Sequence, residues 1–396
     1  MSTKTIKYDR LFYMDNIRWL AIILVVLHHV NMTYSQEGLW YYNENASLDP
    51  LSAVVFGALV QFFQAFGMGL LFLIAGYFTH GAFDRKGFSS FVTDRMVRLG
   101  IPTLIYVLFV DTALWYYTLP LRGELRPPLW DYIASLHIPG PFWFGPMWFA
   151  LALLIFSVAY AVARLFVRPP AGMKQDAQPG QNYGQEAQDD KLPGCLAVAG
   201  LVILISILAF AIRINHPIGS PMVMGFKLSY FPQYIILFIV GINAYRRNWL
   251  PRLPHSFGMA WFKAAIIGGF ALWLWLIGIQ VQSGGSFAIL AGGLQWPSAA
   301  FAFWESFFCV GISLGLIVLF RDGYNKQGRL EKVMAENSFA VYVFHPLILV
   351  LVAVALQGLV WHPLLKFAFV GIIAVPACFL AADLVFRRSP LLKKVL

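Results

Sequence analysis

The sequence predicts an all-α integral membrane protein, a polytopic bundle of about ten transmembrane helices with both termini in the cytoplasm. Three observations predict it. Of the 396 residues, 59% are hydrophobic and only 12% charged, where an average globular chain carries about a quarter charged residues. The apolar residues gather into ten runs, each close to the roughly 20 residues a helix needs to cross a hydrocarbon core of about 30 Å. Lys and Arg collect on one side of those runs. A mean hydropathy of +0.67 with 16% aromatics describes a surface that faces lipid, which excludes a cytosolic enzyme and a secreted domain.

The runs are 17–36, 53–79, 99–119, 143–166, 194–212, 228–246, 261–281, 298–320, 338–357 and 364–386. Pro146 lies near the start of the fourth run. With a cytoplasmic N-terminus, 23 of the 29 Lys and Arg fall on inside segments. Five fall outside (Arg122, Arg126, Arg213, Lys227 and Lys366), and Arg18 sits within the first run. Such a bias in short loops sets orientation. The net charge of +10 therefore records topology, with the lipid bilayer as partner and no nucleic acid.

Residues 1–396 read as one membrane domain, with 167–193, rich in Pro, Gly, Gln and Asp, as a disordered cytoplasmic loop after the fourth span. No internal repeat is visible. The polar start of the chain and the lack of a small-residue cleavage site predict no cleavable signal peptide. Cys195, Cys309 and Cys378 have no metal-like spacing and read as buried small hydrophobes. Sequons at Asn31 and Asn45 fall where this topology is external.

Ionisable groups inside the bilayer cost about 2.5–3.5 kcal/mol each for Arg or Asp at mid-helix, so they mark where function is expected. The first span holds the densest set: Asp15, Arg18, His28 and His29. Arg18 and His29 are eleven residues apart, which is three turns plus about 20° and a rise of about 16 Å. Both point the same way, one at the cytoplasmic rim and the other past the midplane. His28 lies about 100° off that face. The histidines could simply hydrogen-bond a neighbouring helix. Alternatively, His29 is placed to act as a general base on a hydroxyl, sheltered from water yet open to an acceptor from outside.

Arg95 and Arg98 share one side of a helix entering span three. They meet the demand for inside cations and also suit a phosphate clamp, since guanidinium binds phosphate bidentately. Glu305, in the outer half of span eight, could orient an imidazole, accept sugar hydroxyls or pair with a helix terminus. Tyr342 and His345 lie in span nine, where Pro346 frees a backbone carbonyl and favours a structural hydrogen bond for His345. Asp111 and Asp383 are single acids with no assignable partner. Trp143 and Trp148 read as interfacial aromatics, and Gly67, Gly69 and Gly76 as sites of close helix approach.

In this order the pieces resemble the acyltransferase-3 family of integral membrane acyltransferases. That family's first span carries an Arg followed eleven residues later by a His, here Arg18 and His29. LLFLIAGYF resembles its FFxxSGF-like stretch, Arg95 and Arg98 its R-x-x-R pair, and Trp148-Phe149-Ala150-Leu151 its WFL-like helix start. Ser338, Tyr342 and His345 match a late S-x-x-x-Y-x-x-H helix. LIAGYF and SFAVYVFHP look most like the branch that contains glucan biosynthesis protein C, a succinyltransferase acting on periplasmic glucans. The chain departs from the O-antigen acetyltransferase branch, having no soluble domain expected after the last span and no acidic pattern after the WFL-like start.

The resemblance implies an acyl-CoA donor, acetyl-CoA or succinyl-CoA, used as co-substrate with no permanently bound cofactor and no metal. Its phosphates would lie near Arg95, Arg98 and Arg18, and its pantetheine arm would thread inward to His29. His29, with Glu305 in support, would activate a hydroxyl of a carbohydrate or envelope-polymer acceptor arriving from outside. Asp15, His28, Trp148, Tyr342 and His345 would bind or support. Transfer could be direct or pass through an acyl-histidine. The rival from another class is a secondary transporter, for which ten spans and buried His, Arg and Glu also suit, but which would show no dependence on CoA.

Overall fold

The computed structural model describes residues 11–35, 37–44, 47–135, 144–166, 191–223 and 225–389. Nine helices among the described residues are long and apolar enough to cross a membrane. In chain order they are α1 (Phe12–Ser35), α2 (Pro50–Arg95), α3 (Trp148–Phe166), α4 (Cys195–Asn215), α5 (Phe231–Arg246), α6 (His255–Gln282), α7 (Trp296–Gly323), α8 (Arg329–Ala355) and α9 (Pro363–Ala381). The chain is a multi-pass, all-α membrane protein.

The second crossing accounts for the difference between nine helices and ten runs. Helical structure continues from Pro50 to Arg122 over 73 residues, about 110 Å at 1.5 Å per residue and far more than one bilayer. Gly87 breaks it, with φ 70° and ψ 175°, a conformation that glycine adopts without the Cβ penalty. Two lengths result, each enough for a crossing. The second loosens into π-helix at Met96–Gly100 and Tyr106–Asp111. Pro102 brings no N–H to the Arg98 carbonyl, which favours the first of these irregularities.

Helix starts follow local chemistry. Asp49 caps α2, accepting from Ser52 N at 3.0 Å and Ser52 Oγ at 2.5 Å, with Pro50 in the first turn. Those bonds hold the Asp49 carboxyl below the usual carboxylate range. Pro297 and Pro363 likewise open α7 and α9.

Helix α1 packs against α2, α7, α8 and α9 and so lies inside the bundle. Helices α7 and α8 are the most enclosed, whereas α6 is mostly exposed and packs on α7. Helices α2 and α5 touch along their lengths, because a Cβ on Gly76 would strike the Phe238 carbonyl and one on Gly241 the Leu73 carbonyl. Close approach of this kind maximises dispersion contacts where no hydrophobic drive separates helix from lipid.

Several expectations change here. Asn31 is fully buried in α1 and its Nδ2 donates to the Phe56 carbonyl at 3.1 Å, so it cannot carry a glycan. Cys309 and Cys378 are buried, but Cys195 is exposed at the start of α4. Residues 167–190, Asn45, Trp143 and the basic residues before 11 and after 389 lie outside the described residues.

Candidate active site

The site forms where α1 meets α8. Pro346 has no N–H to give the Tyr342 carbonyl four residues back, and His345 Nδ1 bonds that carbonyl at 2.8 Å. A carbonyl only accepts, so His345 carries its proton on Nδ1 and presents the Nε2 lone pair. That lone pair faces His29 Nδ1 at 3.2 Å. His29 Nδ1 also lies 2.8 Å from the Val25 carbonyl. Both partners require a proton on His29 Nδ1, so the network assigns one tautomer. Nε2 of His29 is left with its lone pair, and no protein group among the described residues takes it.

A loop, 37–44, lies over this pair. The Trp40 ring stacks on His29 with centroids 4.6 Å apart and 28° between planes, and its Nε1 donates to Thr33 Oγ1 at 3.0 Å. Tyr41 anchors the loop, donating to Asp111 Oδ1 at 2.5 Å and lying 2.7 Å from the Tyr106 hydroxyl. Burial, then Tyr106 and Asp111, push the Tyr41 phenol well above its usual range, so it stays a neutral donor. Glu44 pairs with Lys366, a fully buried lysine that also donates to the Gln357 and Leu359 carbonyls. Asp111 and Lys366, which the sequence reads as a lone acid and a loop cation, are two of the anchors of this strap.

Two cavities meet at the histidines. One runs along α1 from Ile17 and Leu20 to His28 and His29, with Phe63, Gly67 and Leu71 of α2 as its far wall. No charged residue lines this canal among the described residues. The other opens at the Ser35 end of α1 and is walled by Trp40, Tyr230 and Tyr234. His28, His29, Gln64, Pro146 and Trp148 border both. Gln64 donates to the Tyr234 hydroxyl at 2.6 Å. Tyr342, whose ring borders the canal, donates to the Pro146 carbonyl at 2.6 Å and accepts from Ala150 N at 3.2 Å. It thereby fixes the first turn of α3 beside His29. The Nδ1 atom of His28 is buried without a hydrogen-bond partner among the described residues.

The remaining predicted residues divide. Trp148 is a wall between the cavities and stacks on Tyr234 at 5.7 Å, which corrects its reading as an interfacial aromatic. Asp15 pairs with Arg18 at 3.2 Å at the Phe12 end of α1, where Arg18 is partly exposed beside the canal but does not line it. Arg95 lies over the Phe91 ring, and Arg98 pairs with Asp94 at 3.0 Å, which Lys86 also holds at 2.8 Å. Neither arginine borders the canal. Glu305 does not join His29: it is buried against Arg213 at 2.5 Å, and Arg213 donates to the Ser229 carbonyl and covers the Tyr230 ring. His345 holds the imidazole instead. Arg213 is correspondingly a buried partner rather than a loop cation, and Asp383 accepts from Asn337 at 3.2 Å.

Sequence reasoning missed Gln64, Trp40 and Lys227, which all line the cavities. It also missed a cluster that ties α2 to α3, in which Asp84 meets His80 at 3.3 Å and Arg164 at 3.1 Å while Tyr160 bonds His80. Polar residues at single positions in apolar helices carry no pairing signal until the helices are placed.

The model of the acyltransferase-3 family, described as an acyltransferase domain, matches residues 11–383. The chain belongs to that family. Nodulation protein NolL of Sinorhizobium fredii is 28% identical over 151 residues. Glucans biosynthesis protein C of Escherichia coli O6:K15:H31 is 31% identical over 156 residues. Each of these matches covers 38% of this chain and 37% of the relative, little more than a third of its length. No solved structure matches the chain.

Proposed function

We propose that the protein is a membrane-embedded O-acyltransferase moving an acetyl or succinyl group from cytoplasmic acyl-CoA to a hydroxyl of a carbohydrate or cell-envelope acceptor. The observation that carries this reading is the meeting of two cavities at one imidazole whose Nε2 lone pair is free. The positive-inside bias puts the Phe12 end of α1 and both termini in the cytoplasm of a cell membrane. The uncharged canal then opens inward, where a pantetheine arm fits, and the aromatic vestibule opens outward. Arg18, Arg95 and Arg98 are among the cations on that inner side and would receive the CoA phosphates. A relative named for glucan biosynthesis favours a carbohydrate acceptor.

In this mechanism His29 Nε2 takes the proton of the acceptor hydroxyl as its oxygen attacks the thioester carbonyl. The C–O bond forms, the tetrahedral oxyanion collapses, the C–S bond breaks, and the CoA sulfur receives the proton from the imidazolium. His345 accepts from His29 Nδ1–H throughout and favours the imidazolium. The Gln64 amide and the first turn of α3 are the donors at hand for the oxyanion. Holding both substrates at one point supplies much of the remaining rate.

The test is a thermal-shift titration of detergent-purified protein with acetyl-CoA, succinyl-CoA and free CoA, in wild type and Arg95→Ala/Arg98→Ala. Saturable stabilisation by an acyl-CoA, weakened in the double variant, is expected. Folded protein indifferent to every CoA species would return the reading to a transporter.

His345 acts through His29 and is a positioning residue. His345→Ala is expected to lower kcat by roughly one to two orders of magnitude with KM little changed, and to displace the pH–rate profile. His345→Gln can donate to the Tyr342 carbonyl and accept from His29, so it should restore much of the rate. A purely structural role would lower thermal stability in both variants and leave the pH profile of the surviving activity in place.

A further inference from the structure

Five cations fall on the external side under the positive-inside orientation, and four have protein partners. Arg122 pairs with Glu124 at 2.9 Å. Arg126 donates to the Tyr117 carbonyl at 3.0 Å and lies over the Tyr116 and Tyr117 rings. Arg213 is held by Glu305 and Lys366 by Glu44. The Lys227 amine has no hydrogen bond or ion pair among the described residues, and of the five cations Lys227 alone lines the vestibule. Among the described residues no carboxylate lines the vestibule with it. The charged group facing it is Glu37 of the strap, exposed and beyond ion-pair distance.

Lys227 is exposed, so its amine is reachable from the vestibule mouth. The surrounding protein still pushes its ammonium down from the usual lysine range, and Glu37 offsets part of the effect. His28, which borders the same space, has a buried Nδ1 with no protein partner among the described residues. Aromatic faces from Trp40, Trp148 and Tyr234 complete the walls. These suit the apolar faces of a sugar ring, while Lys227 is the one charged residue that lines the space among the described residues.

We propose that the vestibule takes an acceptor bearing an oxyanion, a carboxylate or a phosphate, which pairs with Lys227 while a hydroxyl of the same molecule meets His29 Nε2. This rests on the acyltransferase reading above and names the substrate class of that site. The inner canal, with no charged wall, selects for nothing of the kind.

The experiment offers glucose, glucuronate and glucose 1-phosphate to purified protein, reading both acyl transfer with acetyl-CoA and thermal stabilisation by each sugar alone. Wild type should prefer the two anionic sugars by about tenfold. Lys227→Gln should collapse that preference, and Lys227→Arg should keep it. Equal use of neutral and anionic sugars by wild type overturns the proposal, as does failure of all three in protein that still releases CoA from the donor. If Lys227→Gln instead erases a preference for succinyl-CoA over acetyl-CoA, the anion belongs to the donor and the proposal falls. Folded protein that neither binds nor turns over any acyl-CoA sinks the acyltransferase reading itself.

Discussion

Replacing His29 with Gln is expected to cut acyl transfer by roughly 10²- to 10⁴-fold, the range that a positioned general base contributes, while donor binding survives. Gln can still donate to the Val25 carbonyl and to His345, the two contacts that fix the native ring, so the helix and the strap should hold. What it lacks is a basic nitrogen facing the cavities. CoA release in the presence of a hydroxyl acceptor reads the loss, and stabilisation by acyl-CoA checks that the canal is intact. The same pair of proteins separates the two chemical routes. Direct transfer predicts no modified peptide when wild type is mixed with donor alone and quenched, whereas an acyl-histidine would label the peptide containing His29. Activity within about threefold of wild type in His29→Gln would remove the imidazole from the mechanism.

Much of this was legible in the sequence, and the reasons differ from residue to residue. Apolar runs of bilayer length gave the helices, because lipid demands them and little else satisfies the backbone. The 3.6-residue period puts Arg18 and His29 on one face, yet His28 and His29 line the canal and Arg18 does not. Pro346 marked a free carbonyl, and the Tyr342 carbonyl is the one that sets the tautomer of His345. What periodicity cannot supply is which helices are neighbours. His345 and His29 are 316 residues apart in the chain, and nothing local joins them. Glu305 shows the same limit from the other side. Its position inside an apolar run marks it as expensive, but Arg213, 92 residues before it in the sequence, reads as a loop charge, so the sequence leaves the acid available for catalysis. Lys366 reads in the same way, and its pairing with Glu44 made the strap invisible until the helices were placed.

The strap also explains why the vestibule keeps its shape. Trp40 is held by Thr33, Tyr41 by Asp111 and Glu44 by Lys366, so three anchors from three helical segments fix eight loop residues against α1. A site whose catalytic group must stay within a few tenths of an ångström of its working position gains from such redundancy. The ring of His29 is thus fixed on both sides, by stacking on Trp40 and by the bond to His345.

Glycines in one tract separate packing from function, and this yields the second large effect. The sequence reads Gly67, Gly69 and Gly76 alike, as sites of close helix approach. A Cβ on Gly69 would sit 2.6 Å from Cys309 Sγ and 2.7 Å from Gln233 Nε2, which fits that reading. A Cβ on Gly67 would meet nothing within 4 Å, and the residue lines the canal. Gly67→Phe should therefore fill the canal while leaving the helix packing alone, and loss of the glycine favours helix by up to about 1 kcal/mol. The expected result is a KM for acyl-CoA raised at least tenfold, or no saturation at all, with thermal stability at or above that of wild type. Gly67→Ala should behave nearly as wild type, since its methyl would meet nothing within 4 Å. Gly69→Leu should do the reverse, losing about 1–3 kcal/mol of stability through overpacking before any effect on the donor. Donor kinetics and unfolding measured side by side on these variants decide the matter. If Gly67→Phe binds acyl-CoA as wild type does, the canal is not the donor's path, however well its length and lack of charge suit a pantetheine arm.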